Sequence, residues 1–199
     1  MKYLDKFQAL NPNANLKPVT EQDIQKFEQE YNVKLPQDYR EFLLAGFGGF
    51  QFNSRICGEF YSLNQLWVDD TISCGRLPGE TKEHDLEKPI SFISIGWEFQ
   101  GEYELAIITD PNYYGLVGLA IDGVVLDLSN LQPFSETIKN IVLEAKRRST
   151  PEYQKWYEDM FKVDNMGLTK YQRLLAVGEP VDFRGPELPD DFDLDRDDR

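Results

Sequence analysis

The stretch from Thr20 to Phe50, TEQDIQKFEQEYNVKLPQDYREFLLAGFGGF, constrains the fold most, because its start, corner and stop signals agree. Thr20 is placed to cap a helix with its hydroxyl. Asp23 three residues on completes a capping-box pattern, and Glu21 and Asp23 suit the positive end of the helix dipole. Ile24, Phe27 and Tyr31 then share one face, and Asn32 is a left-handed stop. Leu35-Pro36 restarts the chain, since proline at the first helical position gives up an amide with no intrahelical partner. Tyr39, Phe42 and Leu43 form a second apolar stripe. Gly46, Gly48 and Gly49 end it, each glycine disfavouring helix by about 1 kcal/mol relative to alanine. The stretch therefore reads as two helices joined by a tight corner and followed by a turn into strand.

The order Thr20-Glu21, Ile24, Phe27-Glu28, Leu35-Pro36, Asp38-Tyr39, Phe42-Leu43 and Gly48-Gly49 resembles the N-terminal signature of the SUKH superfamily, which contains immunity proteins of bacterial toxin systems and fungal cell-wall-assembly regulators of the Smi/Knr type. The resemblance covers about residues 15 to 50. It is looser over Ile93-Gly96, Glu104-Asp110 and Pro133-Ile141, and absent after about Ser149. It implies a protein-binding domain with no catalytic motif to carry over.

Around that corner the remaining patterns suggest further elements. Tyr3, Leu4, Phe7 and Leu10 predict a short peripheral helix, and Phe50 to Leu63 a first hairpin broken at Gly58. Leu63, Leu66 and Trp67 predict a short helix or turn over 63–70, and Thr71 to Lys88 a polar, mobile loop. PISFISIGW is the strongest strand. EFQGEYELAIITD gives another, ended by an Asp110-Pro111-Asn112 turn, and GLVGLAID and VVLDLSN two more around Asp122-Gly123. Leu131 to Arg148 predicts a helix with Phe134, Ile138, Ile141, Val142 and Ala145 inward and a basic last turn. The expected fold is α+β: two layers, with a mainly antiparallel sheet of five or six strands and helices packed on one face. The expected organisation is a domain over 1–150, a helical extension over 151–178 with an aromatic face (Tyr153, Trp156, Tyr157, Phe161), and a disordered acidic tail over 179–199.

The 199 residues carry a formal net charge of −14, which opposes direct binding to nucleic acid or an anionic membrane and favours a basic protein partner. The same charge also serves solubility alone. The N-terminal residues lack the apolar core of a signal peptide, and Cys57 and Cys74 are expected as free thiols, so the expected location is cytoplasmic.

Catalytic residue types are sparse. His84 is the sole histidine, in the charged run KEHDLEK, and its spacing to Cys57 or Cys74 gives no reason to expect a Cys–His dyad. The alternating Asp191, Asp193, Asp195 and Asp197 open like a calcium loop, but Arg196 stands where that loop needs glycine. Neither catalytic residues, nor a metal, nor a cofactor is expected. What remains is a binding surface. Its acidic candidates are Asp69, Asp70, Glu98, Glu102 and Glu104, which would steer a cationic partner, with Trp67, Tyr113 or Trp97 as anchors. For each aromatic alone, core packing competes with that role. The preferred expectation is an immunity protein that occludes a basic toxin domain, with a nuclease as a fitting class. The alternative is a regulatory scaffold that binds host proteins without a toxin.

Overall fold

The computed structural model describes residues 1–51, 58–76, 83–98, 103–121, 125–164, 166–176, 185–189, 192 and 194. The chain divides into two units, Met1–Val142 and Leu143–Arg199.

In the first unit the corner forms as its sequence dictates. Helix α1 covers Leu4–Gln8, α2 Glu21–Glu30 and α3 Gln37–Leu44. The Thr20 hydroxyl accepts from the Asp23 amide at 3.1 Å while the Asp23 carboxylate accepts from the Thr20 amide at 2.8 Å, a reciprocal capping box. Asn32 takes the left-handed conformation with φ 50°. Pro36 sits at the N-cap of α3, one place before its first residue. Glu28 locks the corner from inside. It is 4% exposed and accepts from the Leu35 amide at 2.9 Å, Arg40 at 2.6 Å and Lys34 at 3.2 Å. Burial acts to push its carboxyl up, but these three donors outweigh that and hold it below its ordinary range.

Six strands follow among the described residues: β1 Gly58–Phe60, β2 Trp67–Arg76, β3 Glu83–Glu98, β4 Tyr103–Ile108, β5 Leu116–Ile121 and β6 Val125–Pro133. Their order is β1-β3-β2-β6-β5-β4, with β3 also pairing β4. Strands β3, β2, β6, β5 and β4 therefore close into a five-strand barrel, where the sequence suggested an open two-layer sheet. The cause is the length of β3. Its 16 residues pair β2 on one edge through Glu83–Ser94 and β4 on the other through Phe92–Glu98. Bulges between Ile72 and Cys74 and between Ser94 and Gly96 add the twist that closure needs. The sheet is also mixed: β2 meets β6 in parallel through Gly75–Leu126 and Arg76–Asp127. At Gly75 a side chain would press on Leu86 and on the Leu126 carbonyl, so glycine allows that approach.

Two stretches differ from their sequence reading. The expected loop over 71–88 is strand at 71–76 and 83–88. There Ile72 is buried and Leu86 half-buried, alternating with exposed residues, so a strand with one solvated face carries loop-like composition. The expected helix over 63–70 shrinks to a single 3₁₀ turn, Leu63–Gln65, and Trp67 already belongs to β2. The first arm of the expected hairpin (52–57) and the Asp122-Gly123 turn lie outside the described residues. Ile121 and Val125 on either side of that turn do pair antiparallel.

The barrel interior holds Ile72, Ile90, Phe92, Ala106, Ile108, Ala120, Leu126 and Leu128. By alternation Ile93, Leu105 and Ile107 face outward, yet all are buried, as expected beneath a helical layer. That layer is rich in aromatic rings. Phe42 lies 4.8 Å from Phe60 of β1, and Phe7 meets Phe42, Phe47, Phe50 and Phe60. Burying each such ring stabilises the fold by about 1.5–3 kcal/mol. Helix α4, Phe134–Ser149, joins the cluster through Phe134, 4.9 Å from Tyr39. The Asp38 carboxylate accepts from the Ser135 amide at 2.9 Å and ties α3 to the first turn of α4.

Helix α4 runs on into the second unit, which also holds α5 Pro151–Phe161 and α6 Lys170–Ala176. The Thr150 hydroxyl caps α5, accepting from the Tyr153 amide at 3.2 Å, with Pro151 in the first turn. Phe161 bridges the two helices, 4.7 Å from Tyr157 and 5.6 Å from Tyr171.

Candidate functional site

Strand register decides which of the sequence candidates share a surface. Trp67 opens β2 directly opposite Ser94 of β3, and Glu104 of β4 lies directly opposite Trp97 of β3. These four residues occupy one face at one end of the barrel. Ser94, fully buried, donates its hydroxyl hydrogen to the Glu104 carboxylate, which fixes that side chain. Trp97 is half-buried, whereas Trp67 is 66% exposed. Tyr61, just after β1, belongs to the same neighbourhood. Its phenol is held above its ordinary value by burial and by the charges of Glu104 and Glu59. A strand-borne tryptophan in water, at the same end of the barrel as a fixed negative charge, is suited to receiving a partner rather than to filling a core.

The other sequence candidates do not all lie at this end. Glu98 closes β3 opposite Tyr103, next in sequence to Glu104. Asp69 and Asp70 follow Trp67 along β2, with Asp70 farther down the barrel, level with Phe92 and Ile108. Glu102 lies outside the described residues. Tyr113, in the turn after β4, is half-buried against the interior cluster. Its neighbour Tyr114 is the exposed ring of that turn, its hydroxyl donating to the Lys34 carbonyl at 3.0 Å.

Sequence reasoning missed a groove beside this end. It runs between α2 and the Ser62–Leu66 segment and has a volume of about 530 Å³. Phe27, Leu66 and Val19 give it apolar walls, while Lys17, Lys26 and Glu30 give it charge of both signs. Tyr31 packs against Phe27 in a tilted ring pair, centroids 4.8 Å apart, and remains exposed. That pair was the available signal: a tyrosine continuing the apolar stripe of α2 past the point where the helix is covered. The Ser62–Leu66 wall leads directly into Trp67, so groove and tryptophan are neighbours along the chain.

Cys74 and His84 lie on adjacent strands but do not converge. Cys74 is opposite Asp85 and His84 opposite Gly75, so thiol and imidazole project from opposite faces. Cys74 is a free thiol, and Cys57 lies outside the described residues. Among the described residues no group of three or more His, Cys, Asp or Glu side chains is arranged to hold a metal ion, and no helix is long and apolar enough to cross a membrane.

Residues 18–130, from the segment before α2 to the middle of β6, match the family model described as SMI1 / KNR4 family (SUKH-1). Comparison with curated proteins and with solved structures finds no match.

Proposed function

Since the chain belongs to the SMI1/KNR4 family (SUKH-1), we propose that it is a non-catalytic protein-binding module, and specifically an immunity protein that binds and neutralises a basic toxin domain. The observation that carries this reading is Trp67, 66% exposed at the start of β2, whose cross-strand partner Ser94 holds the Glu104 carboxylate. Large exposed aromatics on regular structure make interface anchors, because little side-chain entropy remains to be lost on binding. The net charge of −14 gives a cationic partner long-range attraction. A nuclease toxin, whose substrate groove is itself basic, fits such a surface. Occlusion of that groove requires no chemistry from this chain.

A second reading is favoured by one observation: Leu143–Arg199 forms a compact unit of its own outside the matched residues 18–130. An added unit of that kind suits a regulatory scaffold that binds host proteins. Capture of the tagged protein's partners from its own cells, released along a salt gradient and identified by mass spectrometry, separates the two. A single basic polypeptide that is toxic when expressed alone is the expected result. Several host proteins with no toxic member would overturn the immunity reading in favour of the scaffold.

A further inference from the structure

The second unit holds residues 185–189 of its own chain, Glu187 among them, against a cationic and aromatic surface. Arg147, in the last turns of α4, is held from three sides. It pairs with Glu144 through two hydrogen bonds of 2.6 and 2.5 Å and lies over the Tyr153 ring at 5.0 Å. From the third side, Arg147 donates to the Pro186 carbonyl at 3.3 Å. Arg148 pairs with the same Glu144 and also approaches Tyr153. The segment that supplies Pro186 is GPELPDDFDL, residues 185–194, with two prolines and four carboxylates. Gly185 has φ 68° and lies so close over Trp156 that a Cβ would come within 2.7 Å of the indole. The Phe192 amide donates to the Pro189 carbonyl at 2.8 Å, and Leu194 is buried. Glu187 is near enough for its charge to favour protonated Arg147.

These contacts have the chemistry of peptide recognition. A guanidinium takes a proline's own carbonyl, an indole packs against a glycine with no room for a Cβ, and positive charge lies near the Glu187 carboxylate. We propose that the α4–α5 elbow, built on Arg147, Tyr153 and Trp156, is a binding site for an acidic, proline-bearing peptide segment. The chain's own residues 185–189 are its resident occupant, and a segment of the same chemistry on a partner is its exchange ligand. The proposal is independent of the role of Trp67, because every residue it uses lies in Leu143–Arg199.

The test uses the full chain and a fluorescent peptide of sequence GPELPDDFDL. A resident segment on a short tether has an effective concentration of order millimolar, so a peptide with a Kd of ~0.1 mM should bind the unaltered chain about tenfold more weakly than a chain whose own segment has been evicted. Gly185→Val performs that eviction, because it forces a side chain into Trp156 and leaves the elbow itself unchanged. Fluorescence anisotropy should therefore show about tenfold tighter peptide binding to the Gly185→Val chain, weakening as salt is raised. Arg147→Gln in the Gly185→Val background should abolish it. Exchanging glutamate for lysine at the peptide position that corresponds to Glu187 should weaken binding severalfold, with no effect on protein folding. Equal affinity for the unaltered and Gly185→Val chains, no binding to either, or binding indifferent to the Glu187 exchange would each overturn the proposal.

Discussion

Replacing Glu28 with glutamine tests whether one buried carboxylate holds the helical corner together. The substitution keeps the volume and removes the charge. Of the three partners, the Leu35 amide and Arg40 are the substantial ones, while Lys34 is mostly solvated and contributes at most about 1 kcal/mol. Hydrogen bonds to a charged group contribute about 1.5–3 kcal/mol each, and the glutamine carbonyl can still accept from one donor. Arg40 also keeps its pairing with Glu21. The expected loss is therefore about 2–3 kcal/mol, or about 6–9 °C in Tm at roughly 3 °C per kcal/mol. The pH dependence gives a second signature. The Glu28 carboxyl is held below its ordinary value of 4.5 in the folded state, so its contribution is complete above that pH and disappears as pH falls through the folded value. Urea unfolding followed by circular dichroism should show the gap between Glu28→Gln and the unaltered protein narrowing below pH 4.5. A difference under about 0.5 kcal/mol at pH 7, combined with parallel acid limbs, would refute the account.

Other expectations follow from the same geometry. Trp67→Ala should weaken capture of the cognate partner by about 2 kcal/mol, roughly thirtyfold in Kd, with thermal unfolding unchanged; equal affinity in a titration would remove Trp67 from the interface. Gly96→Ala would drive a methyl group into the Glu59 carbonyl oxygen, so it should cost about 1–3 kcal/mol and lower amide protection at Gly58–Phe60 in hydrogen exchange. Asp38→Ala removes the acceptor for the Ser135 amide and should destabilise the first unit by about 1–2 kcal/mol in chemical denaturation.

What could be read in advance follows the range of the interactions involved. Capping at Thr20, the left-handed Asn32 and the Leu35-Pro36 corner are decided within a few residues, and each appears where its sequence signal lies. The strand PISFISIGW was legible because its apolar run has no helical alternative, and it forms part of β3. Residues 71–76 and 83–88 were not, because their strand character comes from pairing between β2 and β3 rather than from composition. Barrel closure was equally hidden: nothing local to Gly75 or Leu126 announces that they will meet. At the candidate site, the sequence singled out Trp67 and Glu104 as residue types. Their placement at one end depends on two register relations, Trp67 with Ser94 and Trp97 with Glu104. The groove beside α2 stayed out of reach because its second wall, Ser62–Leu66, approaches α2 only in the folded chain.

The parallel contact between β2 and β6 has a consequence for how the molecule behaves before it is complete. A meander of strands possesses two terminal rows of unpaired amides and carbonyls, and each row is a template on which another chain can grow. Joining Gly75–Leu126 and Arg76–Asp127 brings the two rows together and closes part of each, so the ribbon ends on itself there rather than on another chain. The segments it joins are distant in sequence, so this is the slow contact to make during synthesis. The Arg76–Asp127 ion pair at 3.7 Å sits at that junction. Weakening the junction would therefore lower solubility out of proportion to the few interactions lost.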